Sequence, residues 1–138
     1  MHGTVLKDGI AAGAVAAVVS GTPSTLWALA AGRDPLEPTL AAGSMLLPRE
    51  SRRGRLFAAA VPVHLTASIG WALILSALLP RGRAVSASAA AGLVIAAVDL
   101  GFVGRLFPRI RALPLVPQVA DHVLYGATVG LVLDRRRR

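Results

Sequence analysis

His64, Asp99, Asp121 and His122 hold the clearest chemical capacity in this chain, because each is an ionisable group set within an apolar run. A carboxylate beside an imidazole can hold a proton, bind a cation or meet a polar headgroup, and imidazole changes charge near neutral pH. Ser24, Thr25 and Tyr125 add hydroxyls on the same runs and complete a candidate polar cluster. The opposing reading is a static hydrogen-bond network that fixes helix packing and transports nothing. Inside a membrane span an ionisable group costs about 2.5 to 3.5 kcal/mol on insertion scales, so each needs a partner, a cavity or a task.

The elements that position these residues follow from composition. Of 138 residues, 54% are hydrophobic and 16% charged, with mean hydropathy +0.62. A domain this small buries only about two thirds of its unfolded surface in water, so so much apolar sequence calls for a bilayer. The expected fold is a single all-α integral membrane domain, a compact bundle of four transmembrane helices at about residues 9–31, 56–79, 84–104 and 114–133. At helical rise the first run is about 34 Å long, enough to cross. Pro80, Arg81, Gly82 and Arg83 leave so short a turn that the second and third spans are expected to pair as an antiparallel hairpin.

With alternating directions, Ser24, His64, Asp99, Asp121 and His122 all fall roughly 8 to 12 Å from one membrane face at helical rise. One polar layer is therefore expected, facing into the bundle. Small residues should set the packing, since helices in lipid associate where backbones can approach. Gly9, Gly13, Ala17 and Gly21 recur at every fourth position, as do Ser88, Gly92 and Ala96, and then Gly126 and Gly130.

Two shorter segments, about 35–47 and 105–113, are expected to lie in the interface or to re-enter it. The first has Asp34 as N-cap, Pro35 at the first helical position, Glu37 three residues after the cap and Pro48 as its close. The second carries Leu106, Phe107, Ile110 and Leu113 on one stripe opposite Arg105 and Arg109, with Pro108 opposing a long helix. Thr22 and Pro23 repeat the helix-start signature in the middle of the first span. They predict either a proline kink, the simpler reading, or a break exposing a half-helix N-terminus. Ala28 and Ala30 also form an A-x-A pattern of the signal-peptidase type, but Asp8 beside the only early lysine and the glycine-rich core suit a signal peptide poorly.

Several chemistries are excluded or poorly supported. The chain has no cysteine, hence no disulfide and no thiolate site. No nucleophile elbow accompanies its serines, its glycines lie within spans, and its His and Asp residues lack local metal-site spacing. No catalytic residue, metal or cofactor is expected. Net charge is +8, from 14 arginines and Lys7 against seven acids, yet the clusters suit anionic lipid headgroups at the membrane faces and not a nucleic acid. Seven basic residues fall on the side of the termini and eight on the other, a balance compatible with dual topology and an antiparallel dimer.

Val19 to Pro48, with Gly21-Thr22-Pro23-Ser24-Thr25 and Gly32-Arg33-Asp34-Pro35, together with Asp121-His122-Val123-Leu124-Tyr125-Gly126, resembles small uncharacterised multi-span membrane proteins of actinobacteria. The resemblance implies a compact multi-span bundle and brings no activity. The chain does not resemble the small multidrug exporters, which carry a glutamate among aromatics in the first helix. Here that span has no acid, and aromatics make up 4% of the chain. The leading expectation is a structural or accessory component of the cell (inner or plasma) membrane, contacting lipid, a second copy or a partner membrane protein. The alternative is a small ion- or proton-coupled transporter using the His/Asp cluster.

Overall fold

Alanine, leucine and the straight-chain apolar residues that fill this chain are good helix formers. The computed structural model describes residues 2–79 and 84–138, and among them every regular element is helical, with no strand. The expected turn at 80–83 lies outside the described residues. The elements are α1 (His2–Val19), α2 (Thr22–Ala30), α3 (Glu37–Gly43), α4 (Arg53–Leu78), α5 (Ala84–Ala96), α6 (Pro108–Arg111) and α7 (Leu115–Arg136). A π-helical turn, Ala97–Phe102, and a 3-10 turn, Val103–Leu106, prolong α5.

Three helical stretches are long and apolar enough to cross a membrane: Thr4–Ala30, Arg53–Leu78 and Ala84–Leu106. At most 33% of the apolar window of each is buried within the chain, so most of it lies on the surface of the bundle. Helix α7 is 22 residues long, but Gln118, Asp121, His122, Asp134 and two arginines make it the most polar of the long helices. It runs one turn beyond the expected end at 133, because the arginines suit a helix C-terminus, where the dipole is negative.

Packing is antiparallel and built on glycine. Ala84 lies opposite Gly130, Ser88 opposite Gly126 and Gly92 opposite His122, so α5 and α7 meet backbone to backbone. A β-carbon at Gly92, Gly126 or Gly130 would land on the carbonyl of its opposite residue. In the same way Gly9 faces Leu73 and Gly13 faces Ile69, where a β-carbon at Gly13 would stand 2.8 Å from the Ile69 Cα. Helix α1 packs against both α4 and α7, so the long helices run α4, α1, α7, α5 across the bundle. The expected hairpin pairing of the second and third spans is thus corrected: α5 packs on α7, because their matched glycines allow a closer approach. Gly21 is corrected too. It faces open space, outside the seam that Gly9 and Gly13 share.

Where α7 finishes, Arg136 Nε reaches Asp8 Oδ1 at 2.8 Å. Arg137 donates to the carbonyls of Ser76 and Leu79 and to Ser76 Oγ. The terminal arginines therefore clamp α7 to the ends of α1 and α4.

The short segments depart from expectation in instructive ways. Helix α3 starts at Glu37 with Leu36 as its N-cap, not at Pro35 after Asp34, because a second proline, Pro38, occupies the first turn. Asp34 instead precedes the helix and accepts from the Leu36 N–H at 2.9 Å. The 105–113 stripe does not form. Phe107 is extended before Pro108, as sterics require of a pre-proline residue, and only the single turn α6 follows.

Candidate functional site

The first of the three long apolar stretches is interrupted at Ser20 and Gly21, between α1 and α2. The helical ladder closes through Ser20 N to Ala16 O and resumes with Thr25 N to Gly21 O. Pro23 has no N–H to give, and the groups released around it find side chains. Thr22 Oγ1 donates to the Val19 carbonyl at 2.7 Å and Ser24 Oγ to the Gly21 carbonyl at 3.2 Å. His64 Nε2, from α4, donates at 2.7 Å to the carbonyl of Ala17, which an unbroken helix would give to Gly21. From α7, Asp121 Oδ1 accepts the Ser24 N–H at 2.8 Å. A carboxylate thus caps the N-terminus of α2 from another helix, where the positive end of the helix dipole favours it.

Asp99 and His122 form a separate pair. The π-helical turn carries Asp99 to within 3.4 Å of His122 Nε2, and Trp71 Nε1 donates to both Asp99 oxygens at 3.3 and 3.2 Å. His122 Nδ1 lies 2.8 Å from the Gln118 carbonyl. A carbonyl only accepts, so Nδ1 carries a proton, and Nε2 then faces a carboxylate oxygen. One turn further along α7, Tyr125 donates to the Ser68 carbonyl of α4.

The single polar layer expected from depth is thus divided. Asp121 and Ser24 meet, Asp99 and His122 meet, and His64 is taken up by the helix break. Thr25 is exposed and its backbone N–H continues the α2 ladder. Helix directions place all of them at similar depth, but neighbouring positions on α7 point to different helices, so Asp121 faces α2 while His122 faces the α5 extension. Among the described residues no group of three or more metal-binding side chains gathers.

A third arrangement escaped the sequence reading because its members lie on separate short segments. Arg109 holds Glu37 through two hydrogen bonds, Nε to Oε1 at 2.8 Å and Nη2 to Oε2 at 3.1 Å, and Arg53 reaches Asp34 at 2.6 Å. Beside them a cavity of about 230 Å³ opens between α2, α3 and the start of α7, with Trp27, Arg33 and Gln118 on its wall. The signal available was the pair of acids at 34 and 37 against the three arginines of 105–111, whose charge was read as facing lipid phosphates.

Two carboxylates of this rim titrate low. The Arg53 guanidinium and then the Leu36 N–H hold the Asp34 carboxyl below its ordinary value of 3.8. The Arg52 N–H does most to hold the Glu50 carboxyl below 4.5. A depressed carboxylate contributes stability that is present above the ordinary value and lost as pH falls through the folded one. The Asp34 turn is thus expected to stay closed to below pH 3.8. Carboxyl-carbon NMR of the detergent-solubilised protein should give an Asp34 midpoint beneath that of an Arg53→Gln variant; equal midpoints would refute the contact.

No family model matches the chain, and no curated protein or solved structure matches it either.

Proposed function

We propose that this chain is a four-span integral membrane protein of a cell (inner or plasma) membrane, a structural or accessory component whose intramembrane polar groups lock its own helices together. In this reading α7 is the fourth span. Its Asp and His residues are tolerable in lipid because each faces a neighbouring helix. One observation carries the proposal: Asp99, His122, Asp121, His64 and Tyr125 are all engaged by groups of the same chain. Among the described residues, Ser88 Oγ is the one fully buried side-chain polar atom without a hydrogen bond. A network so nearly satisfied favours a fixed packing over a ligand site. Meanwhile Val18, Leu78 and Phe102, at 85%, 75% and 73% exposure, suit contact with lipid. The glycine seams are occupied within the chain, so contact with lipid or a partner protein falls to these apolar faces and to the arginine rims.

A second reading, a small proton- or ion-coupled transporter, draws on the carboxylate and imidazole that Asp99 and His122 bring together and on the π-helical turn, a feature frequent at functional sites. The two readings part at Asp99→Asn. In a locking network the variant loses about 0.6 to 1.7 kcal/mol of stability, the range for hydrogen bonds between membrane helices. Proteoliposomes containing parent and variant then give the same pH-gradient decay as empty vesicles. Decay that needs the protein and vanishes in the variant would establish the transporter instead. A carbonate wash tests the membrane placement: the chain is expected to stay with the pellet.

A further inference from the structure

The cavity beside α2 has an unusual charge balance. Arg109 is engaged by Glu37 and Asp34 by Arg53, which leaves Arg33 as the one cavity-lining cation, among the described residues, with no carboxylate partner. Its guanidinium sits over the Trp27 ring, 5.6 Å from the centroid. Stacking orients the planar group while leaving its N–H fork free to meet an oxyanion. Gln118, only 8% exposed, lies on the same wall. No described group bonds its carboxamide, which leaves it free to meet a polar ligand in the cavity. Besides the paired Asp34, Glu37 and Arg109 and the Ser24 hydroxyl, the rest of the wall is apolar, with Leu113, Pro114 and Pro117 on the side of α7. About 230 Å³ holds on the order of seven waters and is smaller than a typical cofactor pocket, which runs from about 300 Å³ upward. The space fits a phosphodiester with a short polar arm.

We propose that this cavity binds the headgroup of an anionic phospholipid, with the phosphate on Arg33 and a headgroup hydroxyl or ester oxygen on Gln118. The inference rests on the membrane reading above. Arg33 supplies the charge and Gln118 a donor and an acceptor, while the apolar wall takes the glycerol and the start of the acyl chains. That wall favours a lipid over free phosphate.

The test uses the full chain purified in neutral detergent. It is titrated with dioleoyl-phosphatidylglycerol, dioleoyl-phosphatidylcholine or inorganic phosphate, and bound ligand is read by native mass spectrometry. Phosphatidylglycerol is expected to bind at one site about tenfold more tightly than phosphatidylcholine, the scale of one charge-assisted contact. Arg33→Gln should erase that preference, Arg33→Lys should keep part of it, and Gln118→Leu, which preserves the packing volume, should weaken the anionic lipid severalfold. Arg52→Gln, exposed and outside the cavity, should change nothing. Equal binding of the two lipids, an unaltered preference in Arg33→Gln, or displacement of phosphatidylglycerol by equimolar phosphate would each overturn the proposal. Release of the chain by carbonate would instead overturn the membrane reading, so the two failures are distinguishable.

Discussion

Replacing Gly126 by valine is expected to separate α5 from α7 and to cost about 3 kcal/mol or more, beyond the usual range for overpacking. A β-carbon at this position falls on the Ser88 carbonyl oxygen and within 3.2 Å of the Gly92 nitrogen. Both obstacles are backbone atoms of a helix, so no rotamer change relieves them. The helices must move apart, and the flanking contacts at Gly92 and Gly130 are lost with the central one. Val129 and Leu133, both fully buried on α7, would lose packing in the same displacement. Even Gly126→Ala should cost about 1 to 3 kcal/mol.

Gly21→Ala is the matched control. It introduces the same methyl group into the same kind of small-residue pattern, but no atom lies within 4 Å of it. Gly21 also has φ −77, which alanine adopts freely. The expected effect is within about 0.5 kcal/mol of zero, as for a surface substitution. Unfolding in mixed micelles with increasing SDS, followed by circular dichroism, measures both variants. Coincident curves for Gly126→Val and the parent would show that the α5–α7 seam is not close-packed.

The contrast between these glycines marks where sequence reading succeeds and where it stops. Spacing of four put Gly126 and Gly130 on one face, and the seam on α5 was legible through Ser88 and Gly92 for the same reason. Spacing cannot say where a helix ends. Gly21 continues the arithmetic of Gly9, Gly13 and Ala17, but the ladder breaks one residue earlier, and the face rotates away from its partner. Nor could chain proximity predict α5 on α7. A short connection favours adjacent helices, whereas backbone approach at matched glycines decided otherwise.

The polar residues follow a similar division. Insertion cost alone identified His64, Asp99, Asp121 and His122, and helix directions gave them a common depth. Their pairing depends on rotation about each axis, which the π-helical turn changes for Asp99 and the break changes for Ser24. Trp71 was invisible as a polar participant because its single N–H is hidden in an apolar residue type. The rim was hidden differently. Glu37 and Arg109 stand on segments far apart in the chain, neither long enough to show periodicity, and their meeting depends on how α3 and α6 pack together. Arg136 and Asp8 were read as topology signal and flank, but the structure uses them as a clamp.

Asp121→Leu is expected to destabilise the fold by about 2 kcal/mol, because the Ser24 N–H, in a largely buried setting, would lose a charged acceptor. Asp121→Asn retains an oxygen at nearly the same place and loses the charge that the α2 N-terminus favours, so it should cost about half as much. Hydrogen exchange separates this local event from general loosening: the Ser24 amide should lose protection in the leucine variant before the α5 and α4 amides do. Unchanged protection at Ser24 would remove Asp121 from its capping role. Pro23→Ala supplies the decisive background. With an N–H restored at position 23, the Val19 carbonyl has a backbone donor again, and the ladder can close through the break, bringing Ser24 N toward Ser20 O. Asp121 then has less to cap. The cost of Asp121→Leu should accordingly shrink on the Pro23→Ala background, giving a coupling of about 1 kcal/mol between residues joined only through that helix terminus.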